Sequence, residues 1–112
     1  MTFRWIRLGA AIAIISGIGA ATAVKAGPSM SSAWLHITVD QDTCVSRAKA
    51  AVRNVNFNTR FEVLSNSSIY GERGDYTALV RCAADREVVY FVVAGPTASV
   101  CSKHMNAMRD DF

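Results

Sequence analysis

The sequence lacks most of the patterns on which small-protein chemistry is usually built. It has only two histidines, His36 and His104, and neither belongs to an H-x-H, H-E-x-x-H or Cys/His cluster. Its three cysteines contain no C-x-x-C pair, which argues against a dithiol redox enzyme. No serine sits in a G-x-S-x-G elbow. No block of like charge occurs, because the Lys and Arg residues are scattered among acids. No apolar run reaches the ~20 residues a spanning helix wants, which excludes a multi-pass membrane protein. A chain of 112 residues leaves room for one small domain and no second one. It shows neither an internal repeat nor a low-complexity tract.

What is present begins with a distinct leader. Arg4 and Arg7 precede an uncharged run from Leu8 to Val24, and small residues follow it at Ala21-Thr22-Ala23 and Val24-Lys25-Ala26. A positive start, an apolar middle and a small-x-small end read as a secretory signal peptide over residues 1–26. The alternative is an uncleaved anchor, for which the Gly- and Ala-rich run is short. With no cysteine near the cleavage sites and no Arg-Arg pair, neither a lipid anchor nor twin-arginine export is expected. The three leader cations Arg4, Arg7 and Lys25 account for the whole formal charge of +3, so the chain beyond Ala26 is neutral. No nucleic-acid partner is therefore expected, and no membrane contact after cleavage. The location expected is periplasmic or secreted.

Gly27 to Ser32 reads as a flexible lead-in and residues 33–112 as the domain. Ala33 to Val39 alternates, with Ala33, Leu35, Ile37 and Val39 on one side and Trp34, His36 and Thr38 on the other, which predicts a half-buried strand. Asp40 to Thr43 supplies N-caps for a helix over 44–55, with Cys44, Ala48, Ala51, Val52 and Val55 on one face. A strand is expected over 60–69, a turn over 70–75, and strands over 76–82 and 87–94. Gly95-Pro96-Thr97 opens a last helix whose buried stripe is Ala98, Cys101, Met105 and Met108. The order β-α-β-β-β-α implies an antiparallel meander with both helices on one face, an α+β two-layer sandwich.

This layout resembles small exported bacterial proteins of uncharacterised function. The matching features are Cys44 opening the first helix, the G-x-x-G-x-Y turn of Gly71, Gly74 and Tyr76, Cys82 closing a strand, and the junction Val92-Val93-Ala94-Gly95-Pro96. The resemblance spans most of the chain beyond the leader and implies no activity, cofactor or ligand.

Cys44, Cys82 and Cys101 are the disulfide candidates: one pair and one leftover thiol. In the expected path Cys44 and Cys101 open helices at the same end of the sheet while Cys82 closes a strand at the other. Bridged Cα atoms must lie within about 7 Å, which favours Cys44–Cys101. The resemblance implies Cys44–Cys82 instead, and the pairing stays open at this point. A thiol at a helix N-terminus is activated, so Cys44 or Cys101 is also a candidate reactive thiol.

Three further sets are candidates. Cys101, His104, Met105 and Met108 recur on one helix face and are soft ligands suited to copper, although such a stripe is also what an amphipathic helix buries. Cys44 or Cys101, His36 or His104, and Asp40 or Asp42 offer a nucleophile, a base and an acid, with no spacing that brings them together. The paired acids are explained as a cap at Asp40/Asp42 and a solvated terminus at Asp110/Asp111. Arg73-Gly74-Asp75 spells an adhesion tripeptide but is ordinary turn chemistry. Asn66-Ser67-Ser68 fits a glycosylation sequon. Trp34 and His36 project from the first strand, away from the face the helices cover. With Val89, Phe91 and Val93 or their alternates they would form an apolar interface patch. The expectation is an exported, non-enzymatic domain with no cofactor, binding a protein partner or a second copy through its open sheet face.

Overall fold

A computed structural model describes residues 27–112; the expected signal peptide, residues 1–26, lies outside them. Strand β1 (Ser29–His36) leads into helix α1 (Gln41–Asn54). Strands β2 (Thr59–Leu64), β3 (Ser68–Arg73) and β4 (Tyr76–Ala83) follow, then a single 3-10 turn (Ala84–Arg86), strand β5 (Val88–Gly95) and helix α2 (Ala98–Asp111). The strands form one antiparallel sheet in the order β1-β5-β4-β3-β2. Both helices lie on the same face, α1 over β3 and β4 and α2 over β1 and β5. This is the expected α+β two-layer architecture.

Several boundaries differ from the sequence reading, among them the end of β1, which stops at His36 and not at Val39. The predicted lead-in is strand from Ser29 onward, because Ser29 to Ser32 pair in register with Val92 to Gly95 of β5. The predicted strand over 60–69 is a hairpin. Ser65 and Asn66 take positive φ (52° and 49°), and the Ser67 amide donates to the Leu64 carbonyl at 3.0 Å. Two residues at positive φ make the tight turn whose twist matches antiparallel strands, and Asn tolerates that region well. The predicted turn over 70–75 shrinks accordingly to Gly74-Asp75, with Gly74 at φ 58°.

α1 begins at Gln41, three residues before the expected Cys44, and is capped by Asp40, one of the expected cap residues, whose carboxylate accepts from the Thr43 amide at 2.8 Å. That hydrogen bond also holds the Asp40 pKa below its ordinary value. The helix ends before Asn56, whose φ of 67° breaks the ladder. Its inner face, Cys44, Val45, Ala48, Ala51 and Val52, is buried. One apolar core joins that face to Phe57, Ile69, Ala78, Val80, Val89, Phe91, Val93, Cys101, Met105 and Met108. Gly71 lets the chain leave α1 close to β3, since a Cβ there would sit 2.3 Å from the Phe57 carbonyl oxygen.

Candidate interaction face

Every second residue of the sheet points away from the helices. Registers define the rows of this open face. One row runs Trp34, Tyr90, Arg81, Ser68 and Leu64; its neighbour runs Ser32, Val92, Leu79, Tyr70 and Glu62; the next holds Met30, Ala94, Thr77 and Glu72. The face is therefore divided. Its β1, β5 and β4 portion is apolar and aromatic, with Arg81 its one formal charge. Its β3 and β2 portion is polar: Glu72 accepts hydrogen bonds from the Tyr70 hydroxyl and from Arg60 Nη1, the latter at 3.4 Å. The bond to Glu72 raises the Tyr70 pKa above its ordinary value, because phenol deprotonation would set two anions side by side.

Trp34 is 62% exposed, Met30 67% and Tyr90 44%. Trp34 is thus on the open face, as the alternation of β1 predicts. The strand opposite is shifted by one residue from the first option in the sequence. Val89, Phe91 and Val93 face the helices and are fully buried, so Tyr90 and Val92 are the open-face residues. His36 ends the β1 row and lies 3.7 Å from the Glu87 carboxylate. Met30 lies within the expected lead-in, Gly27 to Ser32, and is instead part of β1. Continuing the β1 alternation backward past Ala33 is the signal that places it beside Trp34. The Tyr90 hydroxyl bonds the Ser32 hydroxyl at 3.3 Å, tying β5 to the edge strand.

The cysteine pairing is Cys44–Cys82, with an S–S bond of 2.07 Å and Cα atoms 6.0 Å apart. The end-of-sheet argument for Cys44–Cys101 fails because of the extra hairpin strand. With five strands, β4 ends where α1 begins, and α2 begins at the opposite end. Gln41 seals the bridged end: its side-chain amide donates to the Asn66 and Cys82 carbonyls and accepts from the Ala84 amide.

The remaining candidates are dispersed. Cys101 is fully buried at the base of α2, 3.6 Å from the Ser29 carbonyl, and burial raises its thiol pKa. Met105 and Met108 lie in the core beside it. His104 is turned to the α1 side. Its ring meets Phe57 and Tyr76 edge-on, with centroids at 5.2 and 5.4 Å, and its Nδ1 is 3.5 Å from Arg73 Nη1. Burial, and then the charges of Arg73 and Lys103, lower its pKa. Among the described residues no three His, Cys, Asp or Glu side chains come together as a metal site. Cys44 is spent in the disulfide and Asp40 in the cap. Asp42 accepts from Asn66 at 3.0 Å, which also ties down the sequon asparagine, and Ser68 of that sequon is buried. Arg73 of the adhesion-like tripeptide donates to the Val55 carbonyl at 3.1 Å, so its guanidinium is used within the fold.

Among the described residues no helix is long and apolar enough to cross a membrane, and no pocket is present. Among the described residues the exposed feature that stands out is the divided open face of the sheet. Comparison with known proteins finds no family model and no curated protein that matches the chain.

Proposed function

We propose that this chain is an exported, non-enzymatic domain that binds a protein surface through the open face of its sheet. The carrying observation is that Met30 and Trp34, the two most exposed large apolar side chains among the described residues, lie on one strand of the face that the helices leave bare. An apolar aromatic patch rimmed by polar residues is the usual form of a protein interface. Here the rim is supplied by Glu62, Tyr70, Glu72 and Arg60. The Cys44–Cys82 disulfide accords with an oxidising compartment, as does the leader-like sequence of residues 1–26.

The test is association measured by sedimentation of wild-type and Trp34→Ala protein purified from the exported fraction, alone and with the remaining exported proteins. Loss of an aromatic anchor from an interface centre costs about 2 kcal/mol or more, which weakens binding some thirtyfold. The isolated fold, in which Trp34 is largely solvated, should change by less than about 0.5 kcal/mol. Wild-type protein that stays monomeric alone and in the mixture, indistinguishable from Trp34→Ala, would contradict the reading.

A further inference from the structure

The two edges of the sheet are built differently. β2 is guarded: its pairing with β3 shifts register between Thr59 and Glu62, Arg60 sits at a φ of 50°, and Arg60 and Glu62 place charges along it. A bulge and charges are the ordinary devices that stop a sheet edge from pairing with another chain. β1 has none of them. Its eight residues, Ser-Met-Ser-Ser-Ala-Trp-Leu-His, contain no Lys, Arg, Asp, Glu or Pro, and they pair with β5 without interruption. One open edge and one guarded edge suit a closed pair: two open edges would permit filaments, and two guarded edges neither.

The β1 sequence is also self-complementary. In an antiparallel pairing of two β1 strands centred on Ser32, residue 30 faces residue 34 of the other copy, 31 faces 33, and 29 faces 35. Each Trp34 then meets the Met30 of the other copy on the open face. Side chains directly opposite each other in antiparallel strands have Cβ atoms about 5 Å apart, and a thioether against an aromatic ring is a favourable contact. Met30 and Trp34 thus each gain an apolar neighbour at once. On the axis Ser32 meets Ser32, small and uncharged.

The helix layer permits this arrangement. α2 lies over both β1 and β5. Strands repeat at about 4.8 Å, so two such helices across a β1–β1 junction would be about 10 Å apart, an ordinary packing distance. The α2 flank opposite His104 and Asp111, which face α1, carries Ser102, Asn106 and Arg109. Ser102 and Asn106 are short enough to allow that approach.

We propose that the partner met by Met30 and Trp34 is a second copy of this chain, joined edge to edge along β1 about a two-fold axis at Ser32, giving one continuous ten-stranded sheet whose open face runs across both copies. This inference rests on the open-face reading and narrows it.

The test is a cysteine trap in the full chain expressed for export. At the axis the two residues 32 have Cα atoms about 5 Å apart, within disulfide reach. Ser32→Cys should therefore give a covalent dimer under mild oxidation. Met30→Cys should not, since the two residues 30 are about 14 Å apart along the strands. Ser32→Lys sets two like charges on the axis. It should weaken dimerisation at least tenfold while lowering the monomer's folding constant no more than about fivefold (about 1 kcal/mol), because Ser32 is exposed and loses only the 3.3 Å hydrogen bond from Tyr90. A dimer that Trp34→Ala weakens but Ser32→Cys does not trap would overturn the edge pairing. It would fit two sheets stacked face to face at about 10 Å, and the open-face reading would stand. A complex with a different protein, lost in Trp34→Ala and without any dimer, would likewise overturn the inference and keep the wider reading. A monomer under every condition would overturn both.

Discussion

Gly71, Gly74 and Tyr76 show how single residues set this fold. Of these three, Gly74 is the one with a positive φ. Gly71 is required by close approach instead, and Tyr76 lies over Gly95, where a Cβ would come within 2.2 Å of the ring. Gly71→Ala is expected to cost about 1–3 kcal/mol, read as a shift of the urea midpoint with an unchanged slope. The Cys44–Cys82 bridge closes a 38-residue separation. Its removal by Cys44→Ala/Cys82→Ala should cost about 4 kcal/mol on the chain-entropy estimate, measurable by comparing oxidised and double-alanine protein. Cys101 should resist alkylation in native protein and react at the rate of unfolding, since it is buried with its pKa raised. His104 gives a pH dependence of known sign. Its folded pKa is lowered, so the unfolded chain binds the proton more readily. The stability His104 contributes is present above its unfolded value near 6.5 and is lost as pH falls through the lower folded value. Denaturation at pH 7.5 and pH 5 should show that loss, and His104→Phe should flatten it.

At the scale of elements, the clearest sequence signals were periodic ones. The 3.6-residue stripe of α2 (Cys101, Met105, Met108) and the capped start of α1 at Asp40 were legible because apolar spacing and cap chemistry act locally. The alternation of β1 placed Trp34 on the outer side. The hairpin between β2 and β3 was missed because Ser65-Asn66 makes its turn without Gly or Pro, inside a run that otherwise reads as one strand. That single miss reversed the direction of every later strand, and with it the end of the sheet on which Cys82 and Cys101 fall. Beginning the domain at Ala33 hid Met30, since Gly27-Pro28-Ser29 looks like linker while its last residue is already paired with Gly95. Whether a residue in the both-sides-apolar strand β5 faces helix or solvent depends on register with β1. Periodicity within β5 therefore could not choose between Phe91 and Tyr90.

At the scale of the whole molecule, two helices cover one side of a five-stranded sheet and leave the other bare. Residues 27–112 have no net charge to steer a partner from a distance. Association should therefore be nearly insensitive to salt, with affinities at about 50 mM and 500 mM NaCl agreeing within a few-fold. Sedimentation at the two salt concentrations checks this. A steep loss at high salt would instead place the contact on the Arg60–Glu72 portion of the face.

The face bearing Trp34 is proposed to be an interface. Its most direct test is a native mass spectrum of wild-type and Trp34→Ala protein taken from the exported fraction, with accessible thiols blocked beforehand. Wild-type protein should give a complex and Trp34→Ala a monomer, both with an intact Cys44–Cys82 bridge and with Cys101 unblocked until unfolding. Two identical monomer spectra across the full concentration range, with every disulfide intact, would contradict it.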